Sequence, residues 1–100
     1  MRPALVCDDI KNLDLSGFSC VAPTGDQPTI RFRGVRRAFV NNCSAPVGSK
    51  VFLGVEGAAS EKITVMGNDL SEAGAGVVGA PEVNSSAVYE SGNRAATHSG

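Results

Sequence analysis

Few side chains in this 100-residue chain have the type and spacing to do chemistry. They are an Asp8-Asp9 pair, four arginines at Arg31, Arg33, Arg36 and Arg37, an Asn68-Asp69 pair, three cysteines and one histidine. A pair of carboxylates can act as general acid and base. Guanidinium groups hold carboxylates through bidentate hydrogen bonds, which makes Arg31, Arg33, Arg36 and Arg37 the candidate substrate-binding residues. His98, in Ala95-Ala96-Thr97-His98-Ser99-Gly100, sits where no Ser/His/Asp or Cys/His arrangement can be held in place.

Cys7, Cys20 and Cys43 form an odd set without CxxC or Cys/His spacing, and they read as buried small hydrophobes rather than disulfide, redox or zinc residues. Asn68-Asp69 lacks the six or more oxygens of a hard-cation site and any DxDxDG-like run. Asn68 instead falls in an inward position, where its amide needs a hydrogen-bond partner. The expectation is therefore no metal, no cofactor and no catalytic residue within this chain.

The formal charge of −1, from nine basic and ten acidic residues, generates no extended field, so neither nucleic acid nor an anionic membrane is an expected partner. No stretch approaches the roughly 18 apolar residues of a membrane helix, and the apolar run at Ala4-Leu5-Val6 is too short for a signal peptide. Hydrophobic residues make up 42% of the chain but aromatic ones only 5%, which leaves the apolar mass in Val, Ile, Leu and Ala. Small branched side chains of this kind suit stacked sheets.

The elements that must position these residues emerge when the chain is laid on itself at a shift of 25 residues. Leu13, Ala38 and Ile63 then coincide, as do Leu15, Val40 and Val65, then Phe18, Cys43 and Asn68, then Cys20, Ala45 and Leu70. The spacing two, three, two within each set describes strand alternation, one residue that breaks it, and alternation resumed. Gly17, Asn42 and Gly67 occupy the break, and both types tolerate the left-handed conformation of a tight corner. Upstream, Leu5, Ile30 and Leu53 align, then Cys7, Phe32 and Val55, with a second corner at Asp9, Gly34 and Gly57. Ile10, Val35 and Ala58 follow as inward residues, with Ala59 and Ser60 as a two-residue insertion.

This pattern predicts an all-β fold: a right-handed single-stranded parallel β-helix of three to four coils, each with three short strands. The coils span about residues 4–27, 28–50 and 51–76, with a partial coil at 77–92 that fades through Pro81 and Asn84-Ser85-Ser86, and a tail at 93–100. No window holds a helical apolar stripe for three turns, and hairpin order in a β-sandwich does not require recurrence at one fixed shift. In a stack, Asp8, Arg33 and Glu56 form one outward column of alternating charge. Asp9 then serves as a corner rather than a catalytic acid. Open coil ends leave two routes for their cover: self-association, or membership of a longer β-helix of which this is the C-terminal part.

The coils Pro3-Ala4-Leu5-Val6-Cys7-Asp8-Asp9-Ile10, Pro28-Thr29-Ile30-Arg31-Phe32-Arg33-Gly34-Val35 and Ile63-Thr64-Val65-Met66-Gly67-Asn68-Asp69-Leu70 resemble the last turns of pectin-lyase-like β-helix proteins. The nearest look is to polygalacturonase-like glycoside hydrolases. The resemblance implies a parent protein acting on polyuronides such as pectin, in a secreted or periplasmic setting, with a polysaccharide as partner. Of that family's signatures, Asn-Thr-Asp and Gly-His-Gly are missing, Arg-Ile-Lys is echoed by Arg31-Phe32-Arg33, and Asp8-Asp9 is the sole literal match. This chain would then support a groove whose catalytic carboxylates lie elsewhere. The alternative is a structural or binding β-helix module of the surface, adhesin or phage-fibre type, without enzymatic activity.

Overall fold

The computed structural model describes residues 5–19, 28–84 and 86–94. Its elements are all strands: β1 (Leu5–Asp8), β2 (Lys11–Ser16), β3 (Ile30–Arg33), β4 (Arg36–Asn41), β5 (Val51–Glu56), β6 (Glu61–Met66), β7 (Ala75–Gly79) and β8 (Val88–Ser91). They form two four-stranded parallel sheets, ordered β1-β3-β5-β7 and β2-β4-β6-β8. Odd strands stack on odd and even on even, so each coil contributes one strand to each sheet and the chain climbs as a β-solenoid of about three turns. The two sheets face each other across one core.

The registers reproduce the sequence columns. Leu5 pairs with Ile30 and Ile30 with Leu53, and Cys7, Phe32 and Val55 align in the same way. In the second sheet Leu13, Ala38 and Ile63 form one ladder and Leu15, Val40 and Val65 another. Parallel strands stacked about 4.8 Å apart put like residues over like, so an apolar column becomes a continuous dry seam. Ile30, Phe32, Val40, Leu53, Val55 and Val65 are fully buried in that seam, as is Phe52. Each such side chain contributes about 2 kcal/mol through burial.

Both corners recur in the left-handed region. Asp9, Gly34 and Gly57 have φ of 56°, 64° and 91°, and Gly17, Asn42 and Gly67 have φ of 69°, 52° and 67°. The first column includes a close approach: a Cβ at Gly57 would lie 2.9 Å from the Gly34 nitrogen. Glycine is required there for space as well as for φ.

The amides behind the second corner are satisfied along the stack axis. Asn68, buried, accepts from Cys43 N–H at 2.9 Å and donates through Nδ2 to Val40 O at 3.0 Å. Asn93 repeats the pattern one coil on, accepting from Asn68 N–H and donating to Val65 O, each at 2.9 Å. Asn68 is thus the inward, hydrogen-bonded amide its column implies.

Three features differ from the sequence expectation. The inward residue after Val35 is Ser60, not Ala58: Ala58 and Ala59 form an exposed turn, while Ser60 is buried, accepts from Val35 N–H at 3.2 Å and donates to Glu56 O at 2.7 Å. The repeat predicts an apolar residue where a hydroxyl closes the two backbone groups the longer turn leaves open. Among the described residues the third strand of the coil is reduced to isolated bridges, Ser44 with Asp69 and Asp69 with Arg94. The fourth coil also runs on past Pro81 through β8 to a corner at Gly92 (φ 64°), with Asn93 and Arg94 still in the ladders. Cys20, the loop at 21–27, His98 and most of the tail lie outside the described residues.

Candidate functional site

The first corner splits the four candidate arginines into two pairs. Arg31 and Arg33 lie in β3 and Arg36 and Arg37 open β4, on the other side of Gly34 and in the other sheet.

On the first sheet the outward column Asp8, Arg33, Glu56 forms as its register requires. Arg33 stands 3.9 Å from Asp8 and 3.4 Å from Glu56, and Arg31 Nε lies 3.1 Å from Glu56 Oε2. One carboxylate serves two guanidinium groups. Their positive charge is spent within the fold, in partly exposed pairs that each stabilise the register by about 0–1 kcal/mol.

Arg36 and Arg37 are consecutive and both exposed, because the backbone turns left-handed at Arg37 (φ 66°) and breaks the alternation. The same break recurs in the coils before and after, at Asn12 (φ 67°) and Lys62 (φ 55°). None of the three is glycine. Asn tolerates this conformation, but at Arg37 and Lys62 a long side chain held at positive φ costs on the order of 1 kcal/mol, and strain repeated at one position in two successive coils points to a role for what it displays.

What it displays is cationic. Lys11, Asn12, Arg36, Arg37, Glu61 and Lys62 line an open cleft of about 470 Å³. Lys11, Arg36 and Glu61 share one ladder. Among the described residues none of Lys11, Arg36, Arg37 or Lys62 forms an ion pair within 4.0 Å, so four cations face one carboxylate.

A second hollow of about 360 Å³ continues the cleft through Asn12, Arg37 and Lys62, and adds Leu13, Asp14, Ala38, Phe39 and Thr64. Asp14, Phe39, Thr64 and Tyr89 form a single outward ladder, in which the two aromatic rings are exposed. The face of this sheet thus combines cations, hydrogen-bonding groups and flat apolar rings along the direction of the stack.

Lys11, Asn12, Glu61, Lys62, Phe39 and Tyr89 escaped the sequence reading. The signal for the first four was the recurrence of two adjacent polar residues, Lys11-Asn12, Arg36-Arg37 and Glu61-Lys62, at the repeat shift. Phe39, between inward Ala38 and Val40, was outward by parity.

Asp9 stands at its corner, with its N–H donating to Arg33 O at 2.8 Å. Cys7 and Cys43 are buried free thiols whose pKa is pushed up, chiefly by burial. Cys43 Sγ accepts from Phe18 N–H at 3.4 Å and donates to Asn41 O at 3.2 Å, which ties it into the corner rather than exposing a nucleophile. Among the described residues no three His, Cys, Asp or Glu side chains gather to hold a metal ion.

The fold and this face define a parallel β-solenoid with a cationic and aromatic strip on one sheet. Compared with known protein families, with curated proteins and with solved structures, the chain matches none.

Proposed function

We propose that the chain is a C-terminal coil segment of a carbohydrate-active β-helix protein, and that its β2-β4-β6-β8 face holds an acidic polysaccharide of the polyuronide class without cleaving it. The observation that carries this reading is the stacked cationic cleft of Lys11, Arg36, Arg37 and Lys62 leading onto Phe39. A polyuronide presents a carboxylate on every sugar and an apolar face on each ring. The cleft offers guanidinium forks for the first and exposed aromatic rings for the second. The resemblance to polygalacturonase-like coils supports the same substrate class. The carboxylate pair that would perform hydrolysis belongs to the parent protein in this reading.

Titration with oligogalacturonate and with a neutral glucan of equal length tests the proposal. Binding of the first, weakening as salt is raised, is the expected result. The double variant Arg36→Ala/Arg37→Ala should lose at least about tenfold in affinity, the effect of one charge-assisted hydrogen bond. Equal affinity for the neutral glucan, or an unchanged double variant, overturns it.

A further inference from the structure

The two ends of the stack are chemically unlike. In the first coil the inward columns close on Leu5, Ile10, Leu13, Leu15 and Phe18, all packed against the core but only half-buried, whereas Ile30, Val35 and Val40 one coil further in are fully buried. Among the described residues that end is an apolar ring bounded by β1 and β2, the outermost strands of their sheets. At the other end the column Leu15, Val40, Val65 finishes on Glu90, the register partner of Val65. The carboxylate reaches across the coil: a Cβ built at Gly76, on the opposite sheet, would lie 3.8 Å from Glu90 Oε1. Glu90 is exposed, and no described strand is stacked beyond it. A coil stacked on this end would bury an unpaired carboxylate, and inward charges at a sheet terminus block further pairing.

We infer that the first-coil face, with Leu5, Leu13, Leu15 and Phe18, is the docking surface for a preceding parallel β-coil of the parent β-helix, and that Glu90 is the stop that closes the opposite end. The inference rests on the β-helix segment reading above and adds the polarity of growth and the chemistry of the incoming coil. That coil carries apolar residues over Leu13 and Leu15. Over Asp8, whose column alternates acid, base, acid, it carries a cation.

A second copy fits neither way. Head to tail, Glu90 would be set over Leu15. Two-fold pairing would run the strands antiparallel, and any such pairing that keeps Leu13 opposite Leu15 sets Asp14 against its own copy.

The test uses the full chain. Sedimentation at increasing concentration should show the native protein as a monomer, Glu90→Leu as head-to-tail assemblies, and Glu90→Leu/Leu15→Lys as a monomer again. Adding Ala80→Arg to Glu90→Leu places a cation over Asp8 of the next copy and should lower the assembly concentration up to about fivefold at low salt. Native chains that already polymerise would make a second copy the occupant and overturn the inference. A monomeric Glu90→Leu, or assembly that survives Leu15→Lys, would also overturn it. Grafting the interior coil, residues 30–52, ahead of Leu5 gives a covalent version: amides of β1 and β2 should gain hydrogen-exchange protection, and unchanged exchange in a folded graft counts against the surface. None of these readouts involves polysaccharide, so they fail or succeed independently of the binding titration.

Discussion

Arg31 and Arg33 on one side of the Gly34 corner, and Arg36 and Arg37 on the other, are the same residue type within seven positions of one coil. Their circumstances diverge completely. In β3 the two guanidinium groups alternate with buried Ile30 and Phe32 and meet Glu56 from the next coil and Asp8 from the one before. In β4 a left-handed residue exposes both side chains together, and the coils before and after contribute Lys11 and Lys62 beside them. In a stacked fold the task of a charge is set by its ladder neighbours a coil away. The first pair meets carboxylates of the neighbouring coils, and the second forms no ion pair within 4.0 Å among the described residues.

The largest break of this comparison is at the corner that separates the pairs. Gly57→Val puts a β-branched residue at φ 91° with its Cβ against the Gly34 backbone, and should lower unfolding free energy by about 3 kcal/mol in denaturant titrations, disrupting both pairs at once. Next comes Asn68→Ala, behind the other corner. It removes the acceptor of buried Cys43 N–H and a donor to Val40 O, and should cost about 2 kcal/mol while leaving the affinity of the still-folded protein for oligogalacturonate unchanged.

Arg37→Gly sharpens the contrast within one residue. Relief of the left-handed strain should raise stability by about 0.5–1 kcal/mol even as polyuronide binding weakens, an opposition that a purely structural arginine would not produce. Arg33→Ala should do the reverse on a smaller scale. A loss of about 0.5 kcal/mol, shrinking further at high salt, is expected with binding unaltered, since the pair is half-exposed. Loss of binding in Arg33→Ala equal to that in Arg37→Gly would dissolve the distinction between the pairs.

The smallest effect concerns pH. Glu82 accepts from Gly57 N–H at 2.9 Å, and this hydrogen bond holds its carboxyl below the usual glutamate range. A carboxylate favoured in the folded state stabilises it above the ordinary glutamate pKa, and that contribution fades as pH falls through the depressed value. The drop in thermal midpoint on acidification should be slightly shallower in Glu82→Gln. An identical pH profile would remove Glu82 from the support of the Gly57 corner.

Much of this architecture could be read from residue order alone, for a physical reason. Parallel coils stack equivalent residues directly above one another, so recurrence along the chain translates into proximity in space. The columns ending in Val55 and Val65, the corners at Gly34, Asn42 and Gly67, and the alternating Asp8, Arg33, Glu56 ladder were all determined in that way. Single-residue backbone states were not. A left-handed residue inside a strand, as at Arg37 or Lys62, shifts the parity of everything beside it, and on either side of Lys62 the backbone is bonded to different coils, Glu61 N–H to Val35 O and Ile63 N–H to Ala87 O. For the same reason only the tertiary structure decided that Ser60, not Ala58, enters the core, and that Arg36 and Arg37 are exposed side by side.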